Sequence, residues 1–383
     1  MKKIVYMVLF LLLVYQVIAI NSAPVADFNY EINGKFVIFD ASPSYDPDGY
    51  IISYSWNFGD GIVGIGKIVN HTYELEGIYN VTLTVVDNSG NVNSTTKTIT
   101  ADITPPSTVC KLIPNANGRS GWYVSNLILN LAAEDALSGI NKTFYKIDEG
   151  NWKEYISSVI ISEEGVHTAY YYSVDKSGNY EESKSVVFKI DKTPPSTSIF
   201  IDKNSSNGWY NEKINVSLFP NDGISGINKT LYRINGGGFS EYNGSISIAD
   251  GKYFFEYFSV DMAGNFEEIN RIEIKIDTVS PEINILSPSK GLYVFGRKIF
   301  DTETVFVIGN ITIAVECYDL NGIKIIEFYY DDIYRGNSNS SISFWEINEF
   351  SIGKHKIKLI AYDLAGNKCT KIEEVYIINL KWN

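Results

Sequence analysis

The chain is short of the residues on which most chemistry depends. Among 383 residues there are three cysteines and three histidines. Three cysteines cannot supply a disulfide scaffold, and no Ser-His-Asp set, zinc-binding helix motif, phosphate loop or nucleophile elbow can be read along the chain. Long runs of Ala, Leu, Glu and Lys are also missing, which argues against helical bundles. Basic residues are in the minority, 32 against 45 acids for a formal net charge of −13. That balance excludes a nucleic-acid binder, which needs basic patches to displace counterions, and suits an extracellular module that must stay dissolved. After residue 20 no second hydrophobic span, lipidation motif or tail signal appears.

What is abundant is material for pleated sheet: 27 Tyr, with many Ile, Val, Thr and Asn. The hexapeptide VDKSGN at 174–179 looks at first like half of a calcium loop. Near-copies stand at 86–91 (VDNSGN), 260–265 (VDMAGN) and 362–367 (YDLAGN). Their aspartates, 87, 175, 261 and 363, are spaced by about one small domain, which predicts four similar units. No acid follows in phase to complete an EF-hand loop. An Asp that bonds the backbone ahead of it and a Gly free to take positive φ describe a hairpin turn instead.

The amino end carries Lys2 and Lys3, an apolar run over 4–20 and then small residues, the pattern of a secretory signal with cleavage expected after Ala19. The competing reading is an uncleaved anchor, since the run lies at the lower limit for spanning a bilayer. Export would place the mature chain outside the cell or on its surface. Membrane contact is expected only through that segment if it is retained.

Residues 24–102 contain DASPSYDPDGYIISYSWNFGDG and HTYELEGIYNVTLTVVDNSGN. Those blocks closely resemble the PKD domain, an immunoglobulin-like β-sandwich of surface proteins and of the non-catalytic parts of hydrolases. The resemblance implies that Trp56 and Phe58 fill a core beside Tyr73, and that Gly59, Asp60 and Gly61 make a turn. It further implies a structural calcium ion at Asp46 and Asp48, the one cofactor left open; a plain Asp-Pro-Gly turn is the alternative. Residues 103–191 and 192–277 repeat each other: TPPST at 104 and 193, GWY at 121 and 208, SGINKT at 138 and 225. They resemble the bacterial and archaeal immunoglobulin-like repeats of cell-surface proteins. Residues 278–383 are a divergent member, with TVSP in place of TPP and an insert at 295–304. The predicted fold is all-β: tandem immunoglobulin-like β-sandwiches, one PKD-like and three Ig-like, in an elongated rod preceded by a signal-peptide helix over 1–19. Proline-bearing linkers at 102–106, 191–195 and 277–281 favour stiffness.

Within this frame the histidines lose their catalytic promise. Tyr79, His167, Tyr253 and His355 each stand two residues after a Gly, a pattern that resembles the tyrosine corner of immunoglobulin-type sandwiches. Counting along the strand before each turn assigns Val81, Leu83, Val85 and their equivalents to the core face. The opposite face then carries Tyr170 and Tyr172 in the second unit and Phe254 and Phe258 in the third, candidates for stacking on a sugar or a partner protein; cross-strand pairing on a solvated face explains them equally well. Asn141 and Asn228, in sequons at equivalent repeat positions, are the candidate glycosylation sites. Cys317 and Cys369 could close a loop of about 53 residues, worth about 4 kcal/mol in loop entropy, whereas Cys110 reads as a small core residue.

The function expected from these features is a non-enzymatic extracellular adhesive or structural protein of a prokaryotic, archaeal envelope. Its expected partners are envelope proteins or surface polysaccharide, with no nucleic acid. The alternative is an accessory subunit that targets a separate hydrolase.

Overall fold

The computed structural model describes residues 21–380. The signal segment and its cleavage point lie outside the described residues. Strands and turns make up the described chain, with no helix among them, and no described segment is a helix long and apolar enough to cross a membrane. It divides into two compact units, one running in the main to Asp191 and the other from Lys192. Each holds two sandwiches with separate hydrophobic cores.

In the first unit, the first sandwich faces a three-stranded sheet (Asn29–Asn33, Phe36–Asp40, Ile68–Thr72) against a four-stranded one (Val63–Ile65, Ile51–Asn57, Gly77–Asp87, Val92–Ala101). Strand Gly77–Asp87 shows why the sheet forms. Val81, Leu83 and Val85 point inward and are fully buried, while Thr82 and Thr84 on the other side bond Thr96 and Ser94 across the ladder at 2.8 and 3.0 Å. Trp56 and Phe58 pack inside beside Tyr73, whose hydroxyl donates to the Phe58 carbonyl at 2.9 Å. The chain reverses at Gly59 and Gly61, both at positive φ, a conformation that a Cβ would strain. The second sandwich pairs Val159–Ile161, Leu127–Glu134 and Ser107–Ile113 against a five-stranded sheet centred on Ile140–Ile147, Gly165–Asp175 and Lys184–Ile190.

In the second unit, the third sandwich repeats this plan with Ser196–Ile201, Ile214–Asn221 and Ile246–Ile248 facing Ser240–Glu241, Ile227–Ile234, Gly251–Asp261 and Asn270–Ile276. The fourth places Glu282–Ser287, Ile311–Tyr318 and Ile342–Ile347 over seven strands. The 295–304 insert is not a loose excursion. Its residues extend the large sheet through Arg297–Phe300, antiparallel to Gly291–Val294, before Val305–Ile308 runs parallel to the last strand, Lys368–Asn379.

One irregularity recurs in all four sandwiches. The register slips by a residue just after the strand facing the turn strand begins, at Ile51/Ser53, Ile140/Lys142, Ile227/Lys229 and Ile323/Ile325. A bulge of this kind leaves one residue unpaired and re-aims the strand end. Asn141 and Asn228 are the skipped residues of the second and third copies, and both are exposed.

Cys317 and Cys369 are free thiols, contrary to the bond that their spacing suggested. Cys317 lies on a strand of the three-stranded sheet and Cys369 on a strand of the seven-stranded one, both against the same core. They lie near enough for Cys369 to add to the effect of burial in raising the Cys317 thiol, yet no bond joins them. Burial pushes the Cys317 thiol up to about 11, and it does the same at Cys110, which packs on the core of the second sandwich.

Candidate functional site

The VDxxGN segments are turns built around a buried acid. In the second sandwich Asp175 Oδ1 accepts from Asn179 N at 2.8 Å and Oδ2 accepts from Asn179 Nδ2 at 2.7 Å, while Gly178 takes φ 87°. Asp87, Asp261 and Asp363 make the same pair of bonds to Asn91, Asn265 and Asn367. All four aspartates have no exposed surface. The geometry is an Asx-type turn, but the location gives it a second property.

Beside each turn lies the loop that leads into the bulged strand, and that loop begins with an acid: Asp46, Asp135, Asp222 or Asp319. Asp135 Oδ1 gathers the N–H groups of Leu137 and Gly139, and Asp319 Oδ1 those of Asn321 and Gly322. The linker entering the sandwich adds a third carboxylate. Asp102, Asp135 and Asp175 each place an oxygen within 4.8 Å of the others, and so do Asp277, Asp319 and Asp363. Asp102 and Asp277 are buried. Their backbone carbonyls accept from Asn179 Nδ2 and Asn367 Nδ2, at 3.1 and 2.7 Å, so the linker is stitched to the turn. Three acids at this separation repel one another. Burial, followed by the charges of Asp277 and Asp363, raises the Asp319 carboxyl above its ordinary range. The donor chemistry is oxygen only and anionic, which suits a hard divalent cation such as calcium.

The first sandwich varies the arrangement. Asp46 Oδ2 is buried without a hydrogen-bond partner, and burial, with the charges of Asp48 and Asp87, raises that carboxyl. Asp48 turns one oxygen to Ser22 N at 2.9 Å. Asn21, in the position of the linker acid, donates its Nδ2 to Asp87 Oδ2 at 3.0 Å. A Cβ on Gly49 would collide with both Asp46 Oδ2 and Asn88 Oδ1. Asp46 Oδ2 is thus an acid oxygen left without a partner, but Asp46, Asp48 and Asp87 do not form a three-acid cluster like those of Asp102 and Asp277, and the Asp87 and Asn88 oxygens already accept from Asn91, Asn21 and Tyr50.

The four corner positions divide into two kinds. Tyr79 and Tyr253 donate to backbone carbonyls of Leu75 and Asp250, at 3.0 and 2.7 Å, as a tyrosine corner should. His167 and His355 instead pair Nδ1 with Asp148 and Asp331, at 2.7 and 2.8 Å. Those acids stand on hairpin turns at positive φ, 50° and 49°. His71 pairs with Asp60 at 2.6 Å and stacks on Phe58. All three histidines are thus held by an acid in a structural setting.

A further polar cluster went unread in the sequence. Thr108 and Thr143 both bond Ser173 Oγ, at 2.6 and 2.8 Å, and Glu181 accepts from Thr108 N, Thr108 Oγ1 and Ser173 N. The third sandwich repeats it with Thr197, Thr230, Ser259 and Glu267. Thr143 and Thr230 are also the sequon hydroxyls of Asn141 and Asn228. Both are buried, so a transferase that needs the hydroxyl would have to act before the sheet closes. The signal was a Thr, Ser and Glu recurring at matched repeat positions.

The outward aromatics form clusters. Tyr172 stacks on Phe144 at 5.2 Å and meets Trp152 edge-on at 4.7 Å, while Lys146 lies over Trp152 and Tyr170. In the third sandwich Phe258 packs edge-on against Phe239, and Arg271 lies 4.0 Å from the centre of the exposed Phe254 ring.

The sequence model of the PKD domain family matches residues 21–103; that segment is a PKD domain, and repeated Ig-like sandwiches follow it in the chain. Over 82 residues the chain is 39% identical to the pre-pro-metalloprotease PrtV of Vibrio cholerae, and over 83 residues 39% identical to collagenase ColQ1 of Bacillus cereus. Each match covers 21% of this chain and only 9% of the relative. The crystal structure of the PKD1 domain of Vibrio anguillarum Epp is 37% identical, with 22% of this chain and 99% of that one covered at a TM-score of 0.21.

Proposed function

We propose that the chain is a non-catalytic extracellular protein of a prokaryotic, archaeal cell envelope, adhesive or structural, that makes contacts with surface polysaccharide or other envelope proteins. The observation that carries this reading is the use to which the recurrent polar residues are put. The turn acids, the histidines and the Thr-Ser-Glu clusters are bonded into the frame of the sandwiches, while the varied outward faces present aromatic rings and cations. Modules in series turn several weak contacts into a strong one, because each bound module raises the local concentration of the next.

A second reading is favoured by one specific finding. Relatives that share the PKD-like segment are named metalloprotease and collagenase, so the chain could serve as the accessory part of a separate hydrolase. Cross-linking of the native envelope and culture fluid, followed by mass spectrometry, tests the two. Links to envelope components or to other copies are expected on the first reading. Links to a chain with a catalytic domain would replace it with the second.

The acid clusters belong to the same proposal as calcium seats, held by Asp102, Asp135 and Asp175, by Asp277, Asp319 and Asp363, and by Asp46 with Asp48. A bound cation would neutralise the mutual repulsion and fasten linker, loop and turn together. The repeated donor chemistry and the orphaned Asp46 oxygen support this.

A further inference from the structure

We propose that the outer face of the third sandwich binds carboxylate-bearing polysaccharide, a uronate polymer, in a shallow groove of about 600 Å³ floored by Phe254. This rests on the reading that the chain makes carbohydrate contacts and names the ligand class. The groove lies on the face of the four-stranded sheet, across Ile227–Ile234, Gly251–Asp261 and the edge strand Asn270–Ile276. Arg233, Lys252 and Arg271 line it, and Glu256 is the acid among its lining residues. Arg233 Nε donates to Glu256 at 2.7 Å, so that pair is self-satisfied, and Arg233 followed by Arg271 holds the Glu256 carboxyl below its ordinary range. Glu273, on the flank, is paired with Lys275 at 2.7 Å. The excess positive charge therefore rests on Lys252 and Arg271, in a chain whose net charge is −13.

Both cations are laid on aromatic rings, Arg271 over Phe254 and Lys252 over Trp209. Such stacking orients a guanidinium without neutralising it, and leaves its planar fork for a bidentate carboxylate. Asn235 Oδ1 accepts from Phe254 N at 2.8 Å, which aims the amide with its acceptor engaged and its NH₂ left to donate to sugar oxygens. A uronate offers all the complements: a carboxylate, hydroxyl and ring oxygens, and apolar C–H edges for the ring. An acidic peptide is the poorer fit, because peptides that add to sheets do so along a free edge, by backbone pairing, and this groove lies on the face. The equivalent face of the second sandwich carries Lys146 in the place of Arg233 and Tyr170 in that of Glu256, so the two sandwiches need not share a ligand.

The test is calorimetric titration of the full chain with oligogalacturonate, with neutral dextran and poly-glutamate of matched length as comparators, at low and at physiological salt. Binding of the uronate alone is expected, weakened about tenfold or more in Arg271→Gln and in Lys252→Gln, and unaltered in Lys142→Gln on another sandwich. No uronate binding at low salt, equal binding by Arg271→Gln, or equal binding of poly-glutamate would overturn the proposal. Adsorption to isolated envelopes separates it from the broader reading. If Arg271→Gln still adsorbs while uronate binding is lost, the adhesive reading stands on other faces; if the unmodified chain binds uronate but not envelopes, the groove stands and the adhesive reading falls.

Discussion

Asp319→Asn is the sharpest probe of the acid clusters, because it removes a charge and keeps the shape. The amide oxygen can still accept from Asn321 N and Gly322 N, the bonds that Asp319 Oδ1 now receives at 2.8 and 2.9 Å. What disappears is repulsion with Asp277 and Asp363, whose oxygens lie within 4.8 Å. A like-charge pair at that range costs about 1 kcal/mol in water and about 3 kcal/mol at an effective dielectric of 20. For this partly exposed position the lower end applies, so in chelator the variant should be more stable by about 1–2 kcal/mol, or about 2–8 °C in melting temperature. Calcium reverses the order. At a hundredfold excess over its dissociation constant a bound ion adds about 2.7 kcal/mol to the unmodified chain, and the variant, one carboxylate short, gains less. Differential scanning calorimetry with chelator and with millimolar calcium measures both, and equilibrium dialysis counts one ion fewer. The pH dependence has a definite sign. Burial and the charges of Asp277 and Asp363 raise the folded Asp319 carboxyl above its unfolded range, so its ionised form costs stability at higher pH and the cost vanishes as pH falls through the folded and then the unfolded pKa. The advantage of the variant in chelator should shrink accordingly. A variant that melts lower than the unmodified chain by the same amount with and without calcium would refute the reasoning.

Other outcomes follow from the same structure. Glu181→Gln should lower stability by about 2 kcal/mol at neutral pH, the scale of hydrogen bonds to a charged group, as measured by urea unfolding. Lys184 and Thr108 hold the Glu181 carboxyl below its unfolded value despite burial, so its contribution is present above pH 4.5 and lost as pH falls through the folded pKa. The variant should be the flatter of the two across that range. Tyr253→Phe removes the bond to the Asp250 carbonyl and should cost about 1 kcal/mol without altering the near-ultraviolet spectrum of the rest of the chain. Trp56→Ala empties the centre of the PKD core and should cost about 3–5 kcal/mol, seen as loss of that domain's melting transition with the others intact.

Much of the architecture was legible in local pattern. Period-two alternation in GIYNVTLTVVD marks Val81, Leu83 and Val85 as core, and Asp-x-x-Gly-Asn marks each turn, because a strand's facing and a hairpin's φ are settled by residues a few positions apart. The insert at 295–304 was not, since whether a short segment pairs depends on an edge strand that arrives from elsewhere in the chain. Cys317 and Cys369 show the same limit from the other side: spacing along the chain suggested a bond, and the folded chain holds two free thiols against one core.

The acid clusters divide most clearly between the two levels. The sequence alone determined that Asp175 makes a turn, that Asp135 opens a loop and that Asp102 begins a linker, each a local matter of backbone bonding. Only the tertiary structure decided that the three meet. The bulge at Asn141 ends one strand beside the turn, and Asn179 draws the linker carbonyl onto it, so residues tens of positions apart share a few ångströms. Electrostatic interaction depends on that distance and not on separation along the chain, which is why a pattern read as four turns becomes, once folded, a set of charges that must be balanced.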